Sequence, residues 1–321
     1  MKKIIWMYSG MLIVLIVILY LSLTLGSIPM TISDFVKGIF GQRDGQIGVI
    51  FDLRLPRVLI ALFAGAALGL AGALLQAAIK NPLTDPGIIG ITTAAMLGNI
   101  VVINFLPHLF FYAPIFAFAG GIIAFLILYI VTEKYQMSPI YVLLVGIALN
   151  AIFTAIIKVS GVTAIHFTES TGLSMKTWDD ANGLMLFSGV GIIIALFVGG
   201  WCNVLGLSEK TIRSIGFPLM RVRWVVLFIS IYLASVATAI VGSIAFIGLL
   251  VPHISRLLVG SDYRFLLPFS ALFGAALLLV ADTIGRTIIP PYEITASVIM
   301  ALIGGPFLIL LIRKFGAIYG H

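Results

Sequence analysis

The chain consists of long apolar runs separated by short polar segments, and this pattern limits what it can fold into. Many of the runs hold about 18–22 residues, enough for a helix to cross a hydrocarbon core roughly 30 Å thick. The 321 residues are 61% hydrophobic and 10% charged, whereas soluble domains are roughly half apolar and about a quarter charged. The sequence therefore predicts an all-α integral membrane protein that crosses the bilayer many times.

We expect about ten transmembrane helices, an even number that places both chain ends on one side. The first apolar run, which follows Lys2 and Lys3, is too long for a signal peptide and lacks a small-x-small cleavage site. We interpret it as a retained span. The predicted spans cover residues 4–26, 58–80, 88–106, 113–132, 140–160, 184–203, 225–242, 246–260, 266–284 and 294–315.

The distribution of basic residues orients this topology. With both termini inside, twelve Lys and Arg residues fall in inner segments and seven in outer ones, whereas four acidic residues are inner and eight are outer. The positive-inside rule favours this orientation. It also accounts for the net charge of +7 without a nucleic-acid partner. We therefore expect a multi-pass protein of the cell membrane with both termini cytoplasmic.

Two arginines of the outer set run against this trend. Arg54 and Arg57 flank Pro56 at the start of an apolar run. Because proline suits the first turn of a helix, Arg57 is expected near a helix N-terminus, where the dipole disfavours a cation. Three interpretations stay open: snorkelling to lipid phosphates, pairing with Asp52, or docking to carboxylates of an extracellular partner.

Few ionisable residues fall inside the predicted spans. Asp282 and Arg286 are the clearest, and their spacing of four lets them pair on one helix face; alternatively, Arg286 joins the outer arginines. A proton- or sodium-coupled transporter usually needs acidic or polar sites near the midplane, and no series of buried carboxylates is evident. An ion-coupled secondary transporter remains the alternative, since discontinuous helices can bind sodium.

The sequence does not predict an enzyme, a metal site or a bound cofactor. HEXXH and GXSXG are absent, Asp179–Asp180 is an isolated acidic pair, and no Gly-rich loop ends in Gly-Lys-Ser/Thr to hold ATP phosphates. If ATP drives this chain, another subunit binds it. One cysteine, Cys202, excludes an intrachain disulfide. The four histidines show no metal-ligand spacing: they are His108, His166, His253 and His321.

The longest inner loop, residues 204–224, predicts a short amphipathic helix. It offers an N-cap, an acid for the first turn, two isoleucines on one side and a terminating glycine. These are Ser208, Glu209, Ile212 with Ile215, and Gly216. Such a helix either lies on anionic lipid or inserts into a groove on a cytosolic partner.

A second inner segment, residues 77–90, must break a helix because it contains Asn81, Pro82 and Pro86. Backbone groups freed at membrane depth have to face protein or a water-filled cavity. The segment is therefore either a gate or a simple tight turn.

Several long motifs in one order carry a resemblance that runs over nearly the whole chain. The sequence resembles the permease subunits of type II ABC importers, which import ferric siderophores, haem and vitamin B12. The matching motifs are LRLPR (53–57), GAALGLAGALLQAAIKNPLTDPGIIGIT (65–92), EKTIRSIGF (209–217), GSIAFIGLLVPHISRLLVGSDYR (242–264) and LLLVADTIGR (277–286).

The resemblance implies a type II ABC importer permease fold in a single domain, residues 1–321. It implies a transport subunit without its own ATP hydrolysis. It also implies a homo- or heterodimer of permeases with one translocation path, two cytosolic ATPase subunits below, and an extracellular substrate-binding lipoprotein above.

The same resemblance implies roles for particular residues. Arg54 and Arg57, with Arg286 as a third candidate, would pair with glutamates of the binding protein, and the cations would be held unpaired for it. Asn81 and Leu83 would form the cytoplasmic gate. The coupling segment that senses ATPase closure would comprise Ser208, Glu209, Ile212, Arg213, Ile215 and Gly216.

The cargo is predicted from one segment that departs from the pattern of many siderophore permeases. Many siderophore permeases carry a Trp-x-x-Gly-Ser-like pattern before the sixth span, where this chain has GLSMKTWDDANGLMLFSGV, residues 172–190. That segment looks closer to Gram-positive haem-uptake permeases. We therefore expect haem as the cargo, then a ferric siderophore, with cobalamin as the alternative.

Overall fold

The computed structural model describes residues 2–25, 31–41, 45–135, 139–159, 172–289 and 292–319. Within these ranges the chain forms α-helices, two short 3-10 helices (Pro107–Tyr112 and Glu133–Tyr135) and no strand. The α-helices are α1 (Lys2–Thr24), α2 (Ile32–Ile39), α3 (Gln46–Ile79), α4 (Ile91–Phe105), α5 (Ala113–Thr132), α6 (Pro139–Val159), α7 (Trp178–Phe197), α8 (Gly199–Leu205), α9 (Glu209–Ser214), α10 (Leu219–Val241), α11 (Ile247–Val259), α12 (Tyr263–Thr287) and α13 (Ala296–Tyr319).

The predicted pattern of about ten hydrophobic spans is confirmed. In the described ranges, α1, α3, α5, α6, α7, α10 and α12 are long and apolar enough to cross a bilayer, and α4, α11 and the Ala296–Leu311 part of α13 form shorter apolar helices. Each predicted span overlaps one of these ten. Helix α11 is only 13 residues long and has Pro252 inside it.

Helix α3 is the centre of the bundle. It packs against α7, α10, α11 and α12, and its small residues allow neighbouring backbones to come close. A Cβ atom added at Gly69 would lie 2.7 Å from the carbonyl oxygen of Ser270 on α12. The alanine- and glycine-rich sequence of α3 therefore sets its position, and with it the positions of the polar residues at its two ends.

Helices α1 and α6 lie at the periphery of the chain. Trp6 and Ile13 on α1, and Ile140 and Leu144 on α6, are exposed. Apolar side chains on the outside of a membrane bundle are suited to lipid or to a second membrane subunit. Helix α1 is held mainly along α12, so the end of α1 reaches the same region as the start of α3.

Candidate functional site

Arg54 and Arg286 converge on the C-terminal end of α1. Arg54 Nη1 donates to the carbonyl oxygens of Leu23 at 2.8 Å and Thr24 at 3.5 Å. Arg286 donates to the carbonyls of Ser22 and Leu25, the latter at 3.1 Å. The last carbonyls of a helix lack partners within it and carry partial negative charge. The two guanidinium groups therefore cap α1 and tie it to α3 and α12.

Arg57 is held by two carboxylates from the other end of the chain. Its Nε and Nη2 atoms donate to Asp282 at 2.8–3.1 Å, and its Nη1 atom donates to Glu293 at 2.9 and 3.1 Å. The side chain of Asp282 is 2% exposed and that of Glu293 is 42% exposed. The predicted pair between Asp282 and Arg286 is also present, at 3.8 Å, but Arg57 is the closer partner.

A third segment closes over these residues. Ser174 Oγ donates to Glu293 at 2.7 Å, and the Trp178 indole N–H donates to Asp52 at 3.3 Å. Together these segments enclose a cavity of about 580 Å³. Its charged lining consists of Asp52, Arg54, Arg57, Lys176, Arg286 and Glu293. We call this set, with Asp282 behind it, the arginine cluster.

Glu293 is ionised at neutral pH. Partial burial raises its pKa, but the hydrogen bond from Ser174 and the charge of Arg57 more than offset this, so the pKa of Glu293 lies below its usual value. For Lys176, burial lowers the pKa and the nearby carboxylate of Asp180 opposes the shift. The lining of the cavity keeps an excess of positive charge, which favours anionic groups.

Two expectations about these arginines are wrong. Helix α3 begins at Gln46 and not beside Pro56, so Pro56 lies inside the helix and Arg57 lies about three turns after the first residue. The apolar residues 47–51 extend the helix beyond the proline. The arginines are also not held unpaired. A guanidinium buried this far needs acceptors, and α1, α12 and the segment before α13 supply them.

The turn between α3 and α4 lies at the opposite end of α3. Lys80 ends α3 in the left-handed conformation, and the Asn81 side chain accepts from the Leu83 amide at 3.0 Å. Asn81 is buried and Leu83 is half-buried. Gln76 donates to the carbonyls of Thr84 and Gly248. Both predicted gate residues therefore lie in a structured turn attached to α11.

A buried carboxylate anchors the same turn. Asp85 Oδ1 accepts from the amides of Gly87 at 2.7 Å and Ile88 at 3.1 Å, and the backbone of Gly248 and Leu249 at the start of α11 also bonds to it. Burial raises the pKa of Asp85 to about 6, although these hydrogen bonds act in the opposite direction. Arg256 Nη1 donates to Gln76 Oε1 at 2.6 Å, which extends the network along α11.

The predicted amphipathic helix is α9, and Ser208 caps it: its Oγ accepts from the Thr211 amide at 3.2 Å. The two isoleucines differ, however. Ile212 is fully buried and Ile215 is 60% exposed, because α9 ends at Ser214 and Ile215 lies just beyond it. Gly216 follows in a left-handed conformation. The side chains of Glu209 and Arg213 lie outside the described part of the structure.

A hydrogen bond joins this segment to the turn. Lys80 Nζ donates to the carbonyl of Leu207 at 2.8 Å. The α3–α4 turn and the residues that lead into α9 are therefore in direct contact. Any displacement of α9 has a route to Asn81.

Several residues in these networks could not be identified from the sequence alone. Glu293 and Ser174 have no motif that assigns them a partner, and Gln76 and Asp85 lie in a matching motif without a distinguishable role. No group of His, Cys, Asp or Glu in the described ranges could hold a metal ion. His253 packs edge-on against Phe307 at 5.6 Å, while His166 and His321 lie outside the described residues.

A bundle of apolar spans with separate polar networks at its two ends defines a multi-pass membrane protein. Residues 14–314 match the model of the FecCD transport family, and the chain belongs to that family. It is the permease component of an ABC transporter.

Two relatives match at nearly full length. The chain is 40% identical, over 95% of both sequences, to the probable heme-iron transport system permease protein IsdF of Staphylococcus aureus strain MSSA476. It is 41% identical, again over 95% of both, to the protein of the same name from strain Newman.

Two solved structures share the fold. An inward-facing metal-chelate type ABC transporter superimposes with a TM-score of 0.78 at 29% identity, over 97% of this chain and 99% of that one. PsaBC from Streptococcus pneumoniae, solved with a Fab, gives a TM-score of 0.59 at 16% identity over 86% of this chain and 94% of that one. The second likeness concerns the fold alone.

Proposed function

We propose that this permease moves an iron complex, haem first and a ferric siderophore next, from an extracellular binding protein to the cytoplasm. The observation that supports haem as the cargo is the 40% identity, over 95% of both chains, to a protein named for heme-iron transport. Cobalamin is the alternative within the same family.

The arginine cluster is the docking site for the binding protein in this proposal. Its cavity is lined by four cations and two carboxylates, so it suits an acidic surface, and electrostatic complementarity would speed and orient the encounter. Arg54, Arg57 and Arg286 are three of these four cations and are the proposed docking residues, and Lys176 is the fourth. The end of the bundle that carries them would face outward, with both termini in the cytoplasm.

At the other end, two cytosolic ATPase subunits would contact α9. Ile215 is the exposed apolar side chain available to a partner groove, whereas Ile212 holds α9 to the rest of the chain. Movement of α9 would reach Asn81 and Leu83 through the contact between Lys80 and Leu207. A second permease subunit, the same or a related chain, would complete the translocation path.

Uptake measurements test this proposal. Cells that lack the gene are complemented with the wild type, and uptake of labelled haem, a ferric hydroxamate, a ferric catecholate and cobalamin is compared. Restoration of haem uptake supports the proposal. Restoration of another cargo alone would refute the haem assignment while leaving the transport role intact. Uptake driven by a sodium or proton gradient, with the ATPase absent, would refute ATP-driven import.

A test of the docking role needs a variant that does not leave the buried carboxylate of Asp282 without the cation of Arg57. The paired change Arg57→Gln with Asp282→Asn removes both charges and keeps groups that can hydrogen-bond. It should weaken docking of the binding protein and reduce its salt dependence. The matched control is Lys37→Gln, which removes an exposed cation on α2 outside the cluster. Equal docking by the wild type and the paired variant would contradict the role.

A further inference from the structure

Glu293 occupies the outward edge of the Arg57 guanidinium. The inward edge, formed by Nε and Nη2, is bound to Asp282, which is 2% exposed. The outward Nη1 group is bound to both oxygens of Glu293, whose side chain is 42% exposed and lines the cavity. A carboxylate arriving from outside therefore meets Arg57 with its accessible donors already in use.

Ser174 fixes Glu293 in this place. Its hydroxyl donates to Glu293 Oε2 at 2.7 Å, across 119 residues of sequence. Glu293 is thus held from two sides, by Ser174 of the segment before α7 and by Arg57 of α3. The carboxylate is ionised at neutral pH, and charge-assisted hydrogen bonds of this kind are stronger than neutral ones.

We propose that Glu293 is an internal competitor, held by Ser174, which occupies Arg57 until a carboxylate of an acidic docking partner displaces it. This inference rests on the proposed function of the arginine cluster. It makes Glu293 a positioning residue that acts through Arg57. It also identifies the ion pair between Glu293 and Arg57 as the interaction that docking must break.

The exchange keeps the buried charge paired throughout. When Glu293 leaves, Arg57 retains Asp282 and gains the incoming carboxylate, so no guanidinium is left without an anion at membrane depth. The displaced Glu293 is already half-exposed and can turn to water. Arg54 and Arg286 differ, because both donate to carbonyls at the C-terminal end of α1. Release of these hydrogen bonds would uncap that helix.

The reactivity of Arg57 measures the competition without a binding protein. The purified permease in lipid nanodiscs is treated with phenylglyoxal, which modifies accessible arginines, and the rate at each arginine is followed by peptide mass spectrometry. We expect Arg57 to react about three- to tenfold faster in Glu293→Gln than in the wild type, which corresponds to about 0.65–1.4 kcal/mol. This lies at and just above the upper end of the range for exposed ion pairs, because both oxygens of Glu293 bind Arg57 and the pair is partly buried. Ser174→Ala should give a smaller increase, and Ser174→Thr should restore the wild-type rate.

Two controls isolate the effect. Asp179→Asn removes a neighbouring exposed carboxylate of the first turn of α7 and should leave the Arg57 rate unchanged. The rate at Arg286 should stay constant in Glu293→Gln, since Arg286 is bound to Ser22 and Leu25. An unchanged Arg57 rate in Glu293→Gln, or an equal increase in Asp179→Asn, would overturn the proposal.

Capture of an external carboxylate is the second readout. Added N-acetylglutamate amide should protect Arg57 from phenylglyoxal at about three- to tenfold lower concentration in Glu293→Gln than in the wild type. Equal protection in both proteins would overturn the competitor role.

These tests separate the competitor role from the docking function. If Glu293→Gln changes Arg57 reactivity and protection as expected, but the paired Arg57→Gln and Asp282→Asn variant docks normally, Glu293 competes for Arg57 and the docking function is refuted. If the paired variant loses docking but Glu293→Gln changes neither readout, the docking function is supported and the competitor role is refuted.

Discussion

The two ends of α3 hold their polar side chains in different ways. At one end, Arg54 and Arg57 bind carbonyls and carboxylates around an open cavity of about 580 Å³. At the other end, 19 residues after Arg57 on the same helix, Gln76 and the turn after it form a buried network of mostly neutral hydrogen bonds with α11.

This contrast separates two tasks. Ion pairs beside water can exchange one carboxylate for another at modest cost, which suits a surface that binds and releases a partner. A buried network loses far more when one group is left unsatisfied, which suits a turn that moves as a unit. The end with Arg57 is therefore expected to be exchangeable, and the end with Gln76 to be rigid.

The largest loss of stability is expected from removing Arg57, which connects the exchangeable end of α3 to the buried carboxylate of Asp282. Arg57→Ala leaves Asp282 buried with only Arg286 nearby, at 3.8 Å, and should destabilise the protein by about 3 kcal/mol. Adding Asp282→Ala should recover part of this loss. Thermal unfolding of the single and double variants in detergent measures the coupling. Additive losses would mean that the pair contributes nothing as a pair.

The rigid end is probed at Asp85. Asp85→Ala strips the acceptor from the Gly87 and Ile88 amides and should cost about 2–3 kcal/mol. Asp85→Asn keeps an acceptor oxygen and should be much milder. Exposed Asp179→Ala is the control for loss of charge. Equal melting temperatures for Asp85→Ala and the wild type would contradict the rigid network.

Asp85 also gives this end a pH dependence. Its folded pKa of about 6 lies above the ordinary value of 3.8, so the folded state binds the proton more tightly than the unfolded state. Stability from this group is therefore lost as pH rises from about 4 through 6. Asp85→Asn should remove that part of the change in melting temperature between pH 5 and pH 7.5. If the melting temperature of Asp85→Asn depended on pH as that of the wild type does, Asp85 would not be the origin of this pH dependence.

The two isoleucines of α9 should separate stability from coupling. Ile212→Ala opens a cavity in the core and should cost about 2 kcal/mol or more. Ile215→Ala should change stability by less than about 0.5 kcal/mol but reduce transport per ATP hydrolysed. Melting temperature and the ratio of uptake to hydrolysis in proteoliposomes measure the two effects. Normal coupling in Ile215→Ala would remove that side chain from the ATPase contact.

A small loss of stability is expected at the contact between the turn and the loop before α9. Lys80→Met keeps the aliphatic stem and loses the hydrogen bond to Leu207, which should cost about 0.5–1 kcal/mol. Coupling should fall more than stability does. Lys210→Met, at an exposed position on α9, is the matched control. Equal coupling ratios in the two variants would show that this contact transmits nothing.

The sequence by itself determined the membrane class, the approximate positions of ten apolar helices and the family. These follow from local properties, because apolar run length, proline and glycine positions and motif order need no partner elsewhere in the chain. The pairing of Asp282 with Arg286 could also be predicted, since helical spacing of four residues brings side chains together.

Tertiary structure alone decided which acceptors each arginine meets and which isoleucine is buried. Arg57 bonds to Glu293 across 236 residues and Arg286 bonds to Leu25 across 261, and no local pattern encodes such pairs. The start of α3 at Gln46 was missed because a proline can lie within a helix when surrounding packing supports it. Ile212 and Ile215 share a sequence pattern, but only one of them faces the packed core, because burial depends on the neighbours that the fold brings together.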